Sequence, residues 1–295
     1  MKRKLINILS IALAAALVFL CASCNDNSVI NNTATSTPRV TATPDLNGDI
    51  VFEETEHFSV FDQKYTYDES TAVYVDVSLG SVTITDPGTY ILSGTLNDGQ
   101  ITVNVAKEEK VQLVLNNVSV TSSASAALFV LSADKVSLTL PEGTVNSFTD
   151  ATEYALDDEA KGCIYSKDDL SINGFGTLNV TGQFNNGISV KNDLRICGGK
   201  INVSAVNNAI KGNDSVGIMG GTITVKSAED AIKADSVDFG EGFVYIIGGD
   251  FDITCSDDAI QASQDVTVTG GTFIIKCGGK KVNSKGTSEL NGFIK

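Results

Sequence analysis

Along most of this chain, apolar and polar residues alternate with the two-residue period of a half-buried strand. Val73 to Leu79, Ser81 to Thr85 and Thr89 to Gly94 carry the alternation, bounded by turn residues such as Asp86-Pro87-Gly88. Gln100 to Val105, Val111 to Val120, Ala126 to Val130 and Val136 to Leu140 continue it. No window sustains a 3.6-residue apolar stripe, so the pattern predicts strands throughout and minimal helix.

From Asn186 to Lys280 the pattern becomes a repeat. Four copies are anchored by Ile188, Ile210, Ile232 and Ile260, at spacings of 22, 22 and 28 residues. The last gap is lengthened by an insertion around Gly240 to Phe243. Each copy divides into three short strands; in one copy these are Ala209-Ile210-Lys211, Val216-Gly217-Ile218 and Thr222 to Val225. Three strands per about 22 residues, copy stacked on copy, predict an all-β fold: one parallel β-helix (a solenoid) in which each copy is a rung. Two inward ladders follow, one of the four isoleucines and one of Val203, Val225, Ile253 and Ile275. Ile164 and Leu128 begin earlier rungs. Val282, 22 residues after Ile260, begins a rung that the chain leaves unfinished. The pairs Gly198-Gly199, Gly220-Gly221, Gly248-Gly249 and Gly270-Gly271 share a column and supply positive φ at a tight corner. Cys255 and Cys277 occupy one column of adjacent rungs, either as a disulfide or as two small buried side chains.

The N-terminus changes the domain picture. Lys2, Arg3 and Lys4 precede an apolar run from Leu5 to Leu20, and Cys21-Ala22-Ser23-Cys24 follows. This reads as a lipoprotein signal peptide over residues 1–24, with Cys24 as the lipidated first mature residue, and as export to the cell surface. Residues 25–48 are rich in Asn, Thr, Ser and Pro and read as a flexible linker. The β-helix then spans 49–295. Charge narrows the function. Lys and Arg total 21 against 36 Asp and Glu, a net charge of −15. Such a field repels phosphate backbones and anionic membranes, so no nucleic-acid partner is expected, and no membrane contact beyond the lipid anchor. His57 is the only histidine and Trp is absent, which argues against histidine-based zinc sites and Ser-His or Cys-His catalysis.

Candidate chemistry lies in polar columns. The corner that closes each rung reads Asn185-Asn186, Asn207-Asn208, Glu229-Asp230 and Asp257-Asp258 in successive copies. Carboxylates on neighbouring rungs, about 4.8 Å apart, repel unless a cation sits between them, and calcium fits such a gap. Glu229, Asp230, Asp257 and Asp258 are therefore the main calcium candidates. Asp235, a further calcium candidate, stands in the next corner column with Asp168-Asp169, Asn192-Asp193, Asn213-Asp214 and Asp265; for Asp168, Asp193 and Asp214 ordinary turn chemistry is the favoured reading. An acidic insertion contributes Asp150, Glu153, Asp157, Asp158 and Glu159. Lys211 and Lys233 share an outward column with Ser189 and Gln261; beside a calcium-carboxylate site either could act as a proton-abstracting base, or simply offset the negative ladder.

Several of these segments together resemble a known family. GTYILSG from Gly88, DGQITVNV, VQLVLNNVSV, NNGISVKNDLRI, the GGT and DAI repeats and, above all, YSKDDLSINGFGTL (Tyr165 to Leu178) are similar to bacterial secreted carbohydrate-binding domains. Those domains have a polysaccharide-lyase-like, pectate-lyase-like fold and occur in plant-fibre-degrading clostridia. The likeness covers roughly Asp76 to Lys280. It implies a right-handed parallel β-helix, calcium as cofactor, and affinity for plant cell-wall polysaccharide, either cellulose or acidic polymers such as polygalacturonate. It does not imply cleavage. Three readings follow: calcium-dependent polysaccharide binding; a polysaccharide lyase using calcium with Lys233 or Lys211; or a structural surface adhesin. Tyr165 and Tyr245 are the aromatic side chains expected to stack on sugar rings.

Overall fold

Aliphatic residues recurring at one position of every copy can leave water only by stacking, and the strands stack as that requires. In the computed structural model, which describes residues 43–44, 50–155, 158–291 and 293–294, nine parallel strands form one face of a β-helix. Its inward column runs Val82, Ile101, Leu128, Ile164, Ile188, Ile210, Ile232, Ile260 and Val282, each paired in register with the next. The seven residues between the two ends are fully buried. The signal peptide, Cys24 and Asp157 lie outside the described residues, as does most of the 25–48 linker. Thr43–Pro44 at the linker's end pairs antiparallel with Ile50–Val51.

A complete rung is illustrated by Asn186–Val190 on this first face, Asp193–Ile196 on the second and Lys200–Ala205 on the third. Corner insertions vary the rung length without disturbing strand register. Ile101 lies 19 residues after its partner Val82, whereas Ile164 lies 36 after Leu128. The acidic insertion enters at the corner between Val145–Thr149 and Gly162–Ser166, and a second insertion enters between Ile232–Ala234 and Phe243–Ile246. Two early strands, Gly88–Leu96 and Lys110–Thr121, run through the second and third faces without a break. Lys110–Thr121 pairs with Lys135–Leu140 at its start and with Val145–Thr149 at its end. It bends at Asn117, which has φ 58° and whose Oδ1 accepts from the Val145 amide at 3.0 Å.

Two expectations need correction, and one open choice is decided. Only the second glycine of each pair, such as Gly199 and Gly221, has positive φ; at Gly198 the requirement is space, because a Cβ would stand 2.7 Å from the Gly174 carbonyl oxygen. The rung begun at Val282 continues into Ser288–Leu290 and Phe293–Ile294, which pair with the strands one rung before them. Cys255 and Cys277 do pair in register, but both are free thiols.

Among the described residues, helix is confined to a single turn, Val60–Gln63, and a 3-10 segment at Val77–Leu79 where a strand was expected. Val60–Gln63 belongs to a strap that the repeat did not foreshadow. Ser59 and Asp62 form a capping box at its start. The strap crosses the second face: Asn173 Nδ2 donates to the Asp62 and Lys64 carbonyls, and Arg195 Nε donates to the His57 carbonyl at 2.6 Å. Phe58, 1% exposed, reaches over Gly217, where a Cβ would stand 3.2 Å from its ring. Asp62 is buried and pairs with Lys135 Nζ at 2.9 Å.

Candidate functional site

The closing corner is built from one repeated contact. Asn186 Oδ1 accepts from the Asn208 amide at 3.2 Å, and Asn208 Oδ1 accepts from the Asp230 amide at 3.2 Å. Asp230 Oδ1 accepts from the Asp258 amide at 3.0 Å, and Asp258 Oδ1 from the Lys280 amide at 2.6 Å. Four successive steps of the ladder thus satisfy a backbone N–H with the side chain one rung earlier, a role beside the calcium binding that the sequence suggested for this corner.

What changes along the column is the second atom. Asn208 Nδ2 donates back to Asn186 Oδ1 at 3.0 Å, so the asparagine rungs are self-satisfied. Where the column turns to aspartate that donor becomes an oxygen. Asp230 Oδ2 is met by Lys233 Nζ at 2.7 Å, and Asp258 Oδ2 by Asn283 Nδ2 at 2.6 Å. Exposed Asp257 joins them: oxygens of Asp230, Asp257 and Asp258 lie within 4.8 Å of one another. Gly279 borders this space, since a Cβ there would come 2.5 Å from Asp258 Oδ1 and 2.6 Å from Asp257 Oδ1. Three hard oxygen donors bordered by a glycine form a donor set that suits a calcium-sized cation, with Lys233 as the competing charge.

The other candidates are dispersed. Glu229 is exposed and outside this cluster, although it adjoins Asp230 in sequence. Asp235 pairs with Lys211 Nζ at 2.6 Å. Lys211 and Lys233 do share a column, in register, and each is committed to a carboxylate. In the acidic insertion, Asp158 Oδ1 caps the Ala160 amide at 2.8 Å and Glu159 pairs with Lys167. Asp150 turns inward, where it accepts from Tyr154 Oη at 2.7 Å and from the Gln183 amide at 2.5 Å. Burial pushes its carboxyl pKa up. In the next corner column, where bonds within the turn were expected, the contacts run between rungs instead: Asp169 Oδ1 accepts from the Asp193 amide, and Asp265 Oδ1 from the Thr287 amide.

The columns did not reveal a groove of about 860 Å³ across the first face. Lys161, Lys167, Lys191 and Lys211 line it together with Asp158, Glu159, Asp214, Asp238 and Glu241. Lys167 and Lys191 share one corner column on adjacent rungs, whereas Lys161 and Lys211 come from other repeat positions and are gathered only by stacking. Tyr165 forms part of the lining but is 1% exposed, packed with Ala126 and Ala160, and cannot offer a ring face to a sugar. Its buried hydroxyl has no hydrogen-bond partner among the described residues; nor do Asp235 Oδ1 and Gln261 Oε1, which also belong to the first-face strands or the corner after them. Tyr245, by contrast, is half-buried on the second face.

Asp214, at the groove edge, has its pKa pushed up to about 6. Burial is the main cause, opposed by the Asn213 amide and reinforced by Glu241 and Asp193. The folded state therefore holds this proton more tightly than the unfolded chain. The associated stability is present below the ordinary carboxyl pKa and is lost as pH rises through about 6. Asp214→Asn should accordingly give a shallower fall in urea midpoint between about pH 4 and about pH 7 than the parent shows.

With this geometry in hand, comparison with known proteins is informative. Residues 79–292 match the family model described as carbohydrate-binding domain-containing protein. The chain is 42% identical over 175 residues to a carbohydrate-binding domain-containing protein of Acetivibrio thermocellus, a match covering 57% of this chain and 57% of that relative's length. Among solved structures it is similar to a polysaccharide lyase-like protein from C. thermocellum, in a gadolinium derivative. That likeness has 39% identity and a TM-score of 0.72, over 75% of this chain and 96% of the other. The chain belongs to the family of carbohydrate-binding domain-containing proteins, on a polysaccharide lyase-like parallel β-helix.

Proposed function

We propose that this protein binds acidic plant cell-wall polysaccharide, of the polygalacturonate type, along its first face and in a calcium-dependent manner. The reading rests chiefly on the groove of about 860 Å³ across that face, which is lined by charged and polar side chains from successive rungs. Lys161 and Lys191, which stand in the groove outside the Lys167–Glu159 and Lys211–Asp235 ion pairs, supply partners for uronate carboxylates. Successive rungs, about 4.8 Å apart, meet successive sugars of an extended polymer.

Asp230, Asp257 and Asp258 are the residues that would hold calcium, and a bound ion would supply positive charge able to bridge protein and uronate carboxylates. The related structure's being a gadolinium derivative supports a place for a hard cation on this fold. Through Cys24, a lipid anchor would hold the protein at the cell surface, with residues 25–48 as the stalk. The Lys211 and Lys233 ion pairs favour binding over β-elimination, because a base must be free to accept a proton.

Affinity electrophoresis in gels containing polygalacturonate and calcium tests this. Asp257 is exposed, so Asp257→Asn leaves the fold intact; it should weaken retardation by about tenfold, the order expected for one lost charge-assisted ligand. Equal retardation of parent and variant would remove the calcium site from the account. Unsaturated product, absorbing in the ultraviolet after prolonged incubation, would replace binding by lyase chemistry.

A further inference from the structure

The second face carries a pocket of different character, where the strap meets the insertion before Phe243–Ile246. Its volume is about 440 Å³, and His57, Phe239, Phe243 and Tyr245 line it, with Gln264 and Asp265 on the polar side. The His57 ring centroid lies 4.2 Å from that of Tyr245 and 5.5 Å from that of Phe243, with tilted planes. Burial is the main influence on His57 and pulls its pKa below the ordinary histidine value, so it is a neutral ring at pH 7. The pocket thus offers four uncharged rings.

Phe239 is fully exposed and contributes nothing to the core. The loop that carries it is nevertheless constrained. Gly240 and Gly242 have φ of 83° and 73°, and a Cβ on Gly242 would collide with the Ser236 carbonyl oxygen. Glu241 accepts from Ser236 Oγ at 2.7 Å, closing the loop on itself. A conformation that glycine alone adopts readily is therefore used to hold a bare phenylalanine ring beside Tyr245.

A pyranose ring is the chemistry that matches this lining. Its C–H face packs on aromatic faces, and its hydroxyls need amide and carboxylate partners at the edge. Gln264 provides the amide. Asp265, whose Oδ1 is occupied by the Thr287 amide at 2.6 Å, has Oδ2 remaining to accept from a sugar hydroxyl. Charge decides which sugar. Glu241 and Asp265 line the pocket and no lysine or arginine does, so a uronate carboxylate would be repelled and a neutral unit accepted. We propose that this pocket is a second, calcium-independent subsite that takes a neutral pyranose unit by stacking on Phe239 and Tyr245.

The subsite does not depend on the calcium reading of the first face, and the test separates the two. Cellohexaose and xylohexaose are titrated calorimetrically into the full chain in excess EGTA. The parent should bind at least one of them. Phe239→Ala should weaken that binding by about tenfold, a typical worth for one well-packed aromatic contact, and Tyr245→Ala by at least as much. Because Phe239 is fully exposed, its replacement leaves the melting temperature unchanged and folding is not confounded. Phe239→Ala should also leave polygalacturonate retardation in calcium untouched, while Asp257→Asn should leave the hexaose titration untouched. Failure of both neutral hexaoses to bind the parent, or undiminished binding by Phe239→Ala, overturns the subsite.

Discussion

Replacing Asp230 and Asp258 together by asparagine leaves the folding free energy within about 1 kcal/mol of the parent while abolishing calcium-dependent binding; replacing both by alanine costs about 2–6 kcal/mol. The difference follows from the two jobs of each carboxylate. Oδ1 receives the amide of the next rung, from Asp258 and Lys280 respectively. An asparagine oxygen does this equally well, as Asn208 already does for the Asp230 amide. Its Nδ2 has a precedent too, since Asn208 Nδ2 donates one rung back to Asn186 Oδ1 at 3.0 Å. Alanine supplies no acceptor and strands a buried N–H at each rung, at about 1–3 kcal/mol apiece. Urea unfolding followed by far-ultraviolet dichroism measures the stability arm, and calcium titration measures the other. Equal destabilisation by asparagine and alanine would mean that charge, not the amide ladder, holds this corner.

Asp62→Ala should be the most damaging single change outside the helix core, costing about 3–5 kcal/mol. Asp62 is 1% exposed and serves three donors: the Ser59 amide and Oγ, each at 2.7 Å, and Lys135 Nζ at 2.9 Å. Its loss removes the capping box and leaves the Lys135 charge, itself largely buried, with only Asp169 at 3.5 Å. The strap should then lift from the second face and carry His57 away from the aromatic pocket, so neutral-sugar binding should fall as well. The pH profile gives an independent signature. Burial lowers the Lys135 pKa, but Asp62 and Asp169 outweigh it and the net shift is upward. A raised lysine pKa contributes stability that is complete below the ordinary lysine value and is lost as pH rises through the higher folded value. The parent should therefore lose stability in strongly alkaline solution, and Asp62→Ala should lose less there. Unchanged stability in Asp62→Ala would show that the strap rests on Phe58 and backbone contacts alone.

Much of this molecule was legible because a solenoid writes its contacts into its period. Ile188, Ile210, Ile232 and Ile260 had to align, since only neighbouring copies can bury their flanks, and Leu128 and Ile164 extended the same column across an acidic insertion. The progression from Asn-Asn to Asp-Asp at the closing corner also marked the place where carboxylates of Asp230, Asp257 and Asp258 gather. What the sequence did not show is that the two oxygens of Asp230 have different partners, Oδ1 the Asp258 amide and Oδ2 the Lys233 ammonium.

What escaped notice has no period. The strap from residue 52 to residue 66 occurs once, is short, and is recognised only by the partners it meets, such as Asn173 and Arg195, more than a hundred residues later. Lys167 and Lys191 share a corner column, but Lys161 and Lys211 stand at other repeat positions, and the groove that all four line exists only once the rungs are stacked. Tyr165 looked available because it points outward from its strand. It is covered by an insertion whose Ala160 and Tyr154 pack beside it, a contact that no alternation pattern encodes.

The central claim, that calcium at the aspartate end of the ladder lets the first face hold an acidic polymer, is tested most directly by one titration. A polygalacturonate oligosaccharide is titrated calorimetrically into the parent protein, first with saturating calcium and then with excess EGTA. Binding with calcium that falls by at least about tenfold in chelator is the predicted result. Equal affinity in calcium and in EGTA would contradict it.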